Sequence, residues 1–100
     1  MKHEKIFLLE TGRALKVIIT GHEIPGDSAI RTETEILIKD PKEEDFRPPI
    51  GMSHPQFWKL KRMNDEQARL LQIEYSGATD KHINKTLKEF NQINASPELC

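Results

Sequence analysis

A single cysteine, Cys100, ends the 100-residue sequence, so no internal disulfide can form and no cage of thiolates can hold a metal ion. Long apolar runs are missing too. Blocks such as Leu15 to Ile19 are broken, here by Lys16, and none approaches the ~20 residues that a membrane-spanning helix needs. Nor does one sign of charge dominate: 15 Lys+Arg stand against 16 Asp+Glu, with a net charge of -1. That balance lacks the basic footprint of a general nucleic-acid binder. The five glycines are scattered, so neither GxGxxG nor GxxxxGK followed by Ser or Thr arises to cradle a phosphate, and no GxSxG elbow presents a nucleophile. The expectation is no nucleotide cofactor, no metal and no catalytic centre. Met1-Lys2-His3-Glu4-Lys5 is basic, but Ile6 to Leu9 is too short for a signal-peptide core, and the segment reads as an unprocessed start in a reducing cytoplasm.

What the sequence does have is apolar residues in periodic blocks, 36% of the chain, in a length that suits one domain. The period changes near residue 53. Before it, Lys5 to Glu10, Ala14 to His22 and Ala29 to Lys39 read as strands. Gly12 suits a tight hairpin between the first two, and Ile24-Pro25-Gly26-Asp27 suits a type II turn between the second and third. The third run alternates most clearly, with Ile30, Thr32, Thr34, Ile36 and Ile38 on one face and Arg31, Glu33, Glu35, Leu37 and Lys39 on the other. Residues 40–53, rich in proline and acids, read as a connector packed down by Phe46 and Ile50 or else mobile.

After it, Ser53-His54-Pro55-Gln56 predicts a short helix to about Arg62, with Ser53 as cap. Asn64 with Asp65 and Glu66 starts a second helix that ends at Ser76-Gly77 and buries Ala68, Leu71 and Tyr75. Thr79 with Asp80 starts a third, carrying Ile83, Leu87 and Phe90 on one stripe. The expected fold is a single α+β domain over 1–100: a three-stranded antiparallel sheet (about 5–39), a connector (40–53), three helices (about 55–94) and a frayed tail (95–100). Leu15, Val17, Ile19 and Leu37 are assigned to a second sheet face. If no helix covers it, a partner or a second copy should.

Candidate chemistry is sparse. His3, His22, His54 and His82 fall in different elements at no metal-ligand spacing. His22 with Glu23 and Asp27 is the nearest thing to an acid/base cluster, while Glu33 and Glu35 suit cross-strand pairing with Lys16 or Arg13. The expected function is therefore a non-enzymatic protein-interaction module, self-association into a homodimer included, with no membrane partner. Its binding residues are taken to be Phe57, Trp58, Lys59, Lys61 and Arg62, because an aromatic bordering a core face is a frequent anchor. The alternative is a small nucleic-acid-binding regulator using the basic segment 58–69, with Trp58 stacking on a base and Lys59, Lys61, Arg62 and Arg69 on phosphates.

Overall fold

The computed structural model describes residues 1–95 apart from residue 28, so the tail expected beyond Ala95, with Cys100, lies outside the described residues. Strands β1 (Lys2–Leu8), β2 (Ala14–Glu23) and β3 (Ile30–Lys39) precede helices α1 (Phe57–Lys61), α2 (Asp65–Ser76) and α3 (Asp80–Ala95). The strands form an antiparallel sheet in the order β1-β2-β3, which is the α+β arrangement expected from the sequence. Both turns form as expected. Gly12 takes φ 91° between β1 and β2, and Gly26 takes φ 80° in a turn closed by the Asp27 N–H donating to the Ile24 carbonyl at 3.0 Å.

Register decides which face is interior. Leu15 lies opposite Phe7 and Ile38, Val17 opposite Lys5 and Ile36, and Ile19 opposite His3 and Thr34. Leu15, Val17, Ile19, Ile36 and Ile38 therefore share one face. Phe90 of α3 closes over it, with Ile73, Ile83 and Leu87 around it. Leu37 departs from the expected grouping: it pairs with Lys16 and so points to the opposite face, since one step along a strand reverses the side. Near the open end of this core the ring of Phe90 rests against Gly21, where an added Cβ would come within 2.7 Å of Phe90 Cζ.

The helices follow their capping signals with one exception. Asn64 Oδ1 accepts the Gln67 N–H at 2.8 Å to start α2, and Gly77 at φ 85° ends it. At α3 the His82 Nδ1 accepts the Thr79 N–H at 3.0 Å. The exception is α1, whose N-cap is Gln56 instead of Ser53, the Gln56 N–H being taken by His54 Nδ1 at 3.0 Å. The inward face of α2 also differs from expectation. Ser76 is fully buried, whereas Tyr75 is exposed and meets the His54 ring edge-on. Ser76 tolerates burial because its hydroxyl donates to the Ile73 carbonyl and accepts the Ala78 N–H.

The connector is packed down. Gln72 on α2 takes both main-chain groups of Ile50, accepting its N–H at 2.7 Å and donating to its carbonyl at 3.0 Å, and Ile50 is buried. Arg47 pairs with Ile38 through two 2.8 Å main-chain bonds. The charges are knotted at the same end of the sheet. The Arg13 guanidinium forks onto both carboxylate oxygens of Asp40 and also donates to the carbonyls of Tyr75 and Ser76 at the end of α2. Arg47 in turn bonds Asp40 at 3.1 Å and Glu43 at 2.6 Å.

Two predictions follow from this packing. Gly21→Ala should cost about 1–3 kcal/mol in urea unfolding by overpacking against Phe90. Combining it with Phe90→Leu should cost less than the sum, by about 0.5 kcal/mol or more, and strict additivity would contradict the contact. The second concerns pH. Hydrogen bonds from Arg13 hold the Asp40 carboxyl below its ordinary range, with Arg47 adding to the effect, and Arg47 does the same to Glu43. Because these folded values are depressed, the stabilisation is present above about pH 4 and is lost as acid carries the pH down through them. Asp40→Asn should be less stable than the parent by about 1 kcal/mol at neutral pH, the upper end for a partly exposed pair. That gap should close on acidification in chemical-denaturation curves, and a gap independent of pH would contradict it.

Candidate interaction surface

α1 is short because its supports are local. His54 holds the entry through the Gln56 N–H, and the exit is a tightened turn in which the Arg62 N–H donates to the Lys59 carbonyl. The helix packs on α2. Of the expected binding residues, Phe57 is half-buried, while Trp58, Lys59, Lys61 and Arg62 are exposed, Trp58 to 70%. Phe57 and Trp58 meet edge-on with ring centroids 5.3 Å apart. The Lys61 ammonium sits 5.3 Å over the Phe57 ring, and the Arg62 guanidinium donates to the Trp58 carbonyl at 3.3 Å. Met52, also exposed, adds to the apolar surface of this part of the chain. Arg69 belongs elsewhere. It is half-buried and lines a hollow of about 410 Å³ between α2 and β3, together with Asp65, Gln72 and Thr34. The basic segment 58–69 is thus divided between two places.

Each imidazole has a neighbour of its own. His3 bonds Glu89 at 3.1 Å, which also pairs with Lys5 at 3.0 Å, and these two contacts hold the Glu89 carboxyl below its usual range, Lys5 contributing most. His54 supports α1 and Tyr75, and His82 caps α3 while meeting Phe7 edge-on at 4.8 Å. His22 lies 3.6 Å from Glu33 on the adjacent strand, with both side chains about half exposed. Asp27 instead accepts the Ala29 N–H within its turn, so the grouping of His22 with Glu23 and Asp27 is replaced by a pairing of His22 with Glu33. Glu33 also meets Arg31, and Arg13 is engaged by Asp40. Among the described residues, no group of three or more His, Cys, Asp or Glu gathers as a metal site would need.

A larger feature was less visible in the sequence: the sheet has a second face to which no described helix is applied. It carries Glu4, Ile6 and Leu8 from β1, Ala14, Lys16 and Ile18 from β2, and Glu35, Leu37 and Lys39 from β3. Phe46 shields one end, with the ammonium groups of Lys16 and Lys39 at 4.5 and 5.5 Å from its ring centroid. Ile18, in the middle, is only 6% exposed. Along β1 the cover stops. Ile6 is 59% and Leu8 78% exposed, both on an edge strand. The signal for this was Ile6-Phe7-Leu8, an apolar run in which only Phe7 can point inward.

Compared with protein-family models, curated proteins and solved structures, the chain matches none. No helix among the described residues is long and apolar enough to cross a membrane.

At 70% exposure Trp58 has little to contribute to the core. Trp58→Ala should therefore change the unfolding free energy by less than about 0.5 kcal/mol. The indole fluorescence should be readily quenched by acrylamide. A large loss of stability, or a shielded indole, would contradict this placement.

Proposed function

We propose that this domain is a non-enzymatic, cytoplasmic protein-binding module whose contact surface is β1 together with the strip of helix-free sheet that it borders. One observation carries the reading: Ile6 and Leu8 lie on the same face of the edge strand β1, both more than half exposed, with only Lys16 and Ala14 of β2 opposite them. Exposed apolar residues scattered singly are ordinary, whereas a contiguous strip along an edge is what partners cover. Edge strands are usually protected by charge, and here Lys2, Glu4 and Lys5 protect only the first half. The exposed Trp58, edge-on to Phe57, is a smaller accessory anchor of the hot-spot type. Nucleic-acid binding draws less support, since Arg69 lies by β3 and Lys61 is spent over Phe57.

The test is affinity capture from a cell extract with the parent and with Ile6→Lys/Leu8→Lys, whose substitutions are on the surface and should leave the fold intact. The parent should retain specific proteins, its own untagged copies included, that the double variant releases. An identical captured set would remove this surface from the function.

A further inference from the structure

Resting on that reading, we propose that the occupant of the β1 edge is a second copy of this chain, paired antiparallel about a two-fold axis at Ile6 so that two three-stranded sheets become one of six. The direction of the main-chain groups comes first. Met1 and Gly21 exchange main-chain bonds, with the Gly21 N–H donating to the Met1 carbonyl at 2.8 Å, and the Leu9 N–H donates to the Arg13 carbonyl at 2.8 Å. Odd-numbered residues of β1 are thus turned toward β2. Their even-numbered neighbours, Lys2, Glu4, Ile6 and Leu8, direct N–H and C=O outward, free to join another strand.

Charge and the extent of β1 together select the register. A two-fold axis normal to the sheet sets residues of the same face opposite each other, so only a few alignments exist. Centring on Glu4 opposes Glu4 to its own copy, centring on Lys5 opposes Lys5 to its own copy, and centring on Phe7 opposes Glu4 to Glu10 of the second copy; each places like charges face to face. Centring on Ile6 avoids all three conflicts; centring on His3 avoids them too but leaves Ile6 and Leu8 unpaired, and centring on Leu8 sets Ile6 against Glu10 in the turn beyond β1. It sets Ile6 against Ile6, Glu4 against Leu8, and Lys5 against Phe7 of the second copy, and it brings Lys2 toward that copy's Glu10. Ile6 and Leu8 of both chains then merge into one strip.

The helix layer leaves room for this join. α3 leans on both β1 and β2. With strands about 4.8 Å apart, two copies of α3 placed between β1 and β2 would run roughly 10 Å apart across the axis, a helix-packing distance. Other sites for a second copy are poorer. On β3 the outward groups of Ile38 are already taken by Arg47, and the stretch from Glu33 to Leu37 borders the hollow beneath α2. Stacking the helix-free faces would bury Lys16, Glu35 and Lys39.

The experiment uses the full chain in a Cys100→Ser background with single cysteines at Glu4, Lys5, Ile6, Lys16 or Thr32, under mild oxidation, alongside sedimentation velocity of the parent. The expected result is a parent dimer at micromolar concentration, rapid disulfide dimerisation of Ile6→Cys alone, and a dimer dissociation constant raised about tenfold or more by Ile6→Lys/Leu8→Lys. Preferential cross-linking at Glu4 or Lys5 would overturn the register. Cross-linking at Lys16 or Thr32 would overturn the edge in favour of face stacking or β3 pairing. A parent that sediments only as a monomer overturns the dimer outright. If the double variant still releases a foreign protein in that case, the protein-binding reading survives without it; if it releases nothing, both fail.

Discussion

The ion pair between Arg13 and Asp40 is the constraint on which the arrangement of the other parts depends. Arg13 precedes β2 in the turn of the first hairpin and Asp40 follows β3, so their fork extends the pairing of Ala14 with Lys39 and locks that corner of the sheet. The same guanidinium reaches the closing carbonyls of α2, a helix terminus that favours a cation. Arg47 extends the knot into the connector, and Gln72 clamps Ile50 further along. A segment rich in proline and acids is held flat in this way, and α2 is set over β3 instead of beside it. Geometry gives this pair its value, because bidentate contacts within a network order several segments where an isolated surface pair would not.

With α2 fixed over β3 and α3 over β1 and β2, all the helical cover falls on one side of the sheet. Leu15, Val17, Ile19, Ile36 and Ile38 account for that cover, and Phe90 completes it. The other side is treated unevenly. Phe46 lies at one end with the ammonium groups of Lys16 and Lys39 over its ring, the central Ile18 is buried, and Ile6 and Leu8 remain in water. A chain of this size has little stability to spare. Two large apolar side chains are therefore left open on an edge strand at a cost in unburied area that the helix layer does not recover.

Much of the architecture was legible in local signals. Alternation along residues 30–39, the turn-forming Gly12 and Pro25-Gly26, the Asn64 cap and the Gly77 stop all acted as their chemistry requires. Long-range choices were not legible. Leu37 could be placed on its face only once register with Lys16 was known, and Arg13 turned to Asp40 instead of Glu33 or Glu35. Gln56 stands at the N-cap of α1 in place of Ser53, and His54 Nδ1 accepts the Gln56 N–H. On α2, helical periodicity favoured Tyr75, whereas packing buried its smaller neighbour Ser76, whose hydroxyl is satisfied locally. The candidate residues around Trp58 were legible as exposed aromatics and cations. The separation of Arg69 from them was not, because it depends on where α2 docks.

The position of Phe90 has a consequence for the order of assembly. All strand pairings join neighbours in the chain, a local topology that forms early, and residues 2–39 leave the ribosome well before α3. The ring that closes over Gly21 arrives some fifty residues after the last strand. Until then the nascent meander shows solvent two bare faces, and the side that will become the interior is the greasier of them. Val17 and Ile19 stay in contact with water through that stage and leave it only when α3 brings Phe90 onto them.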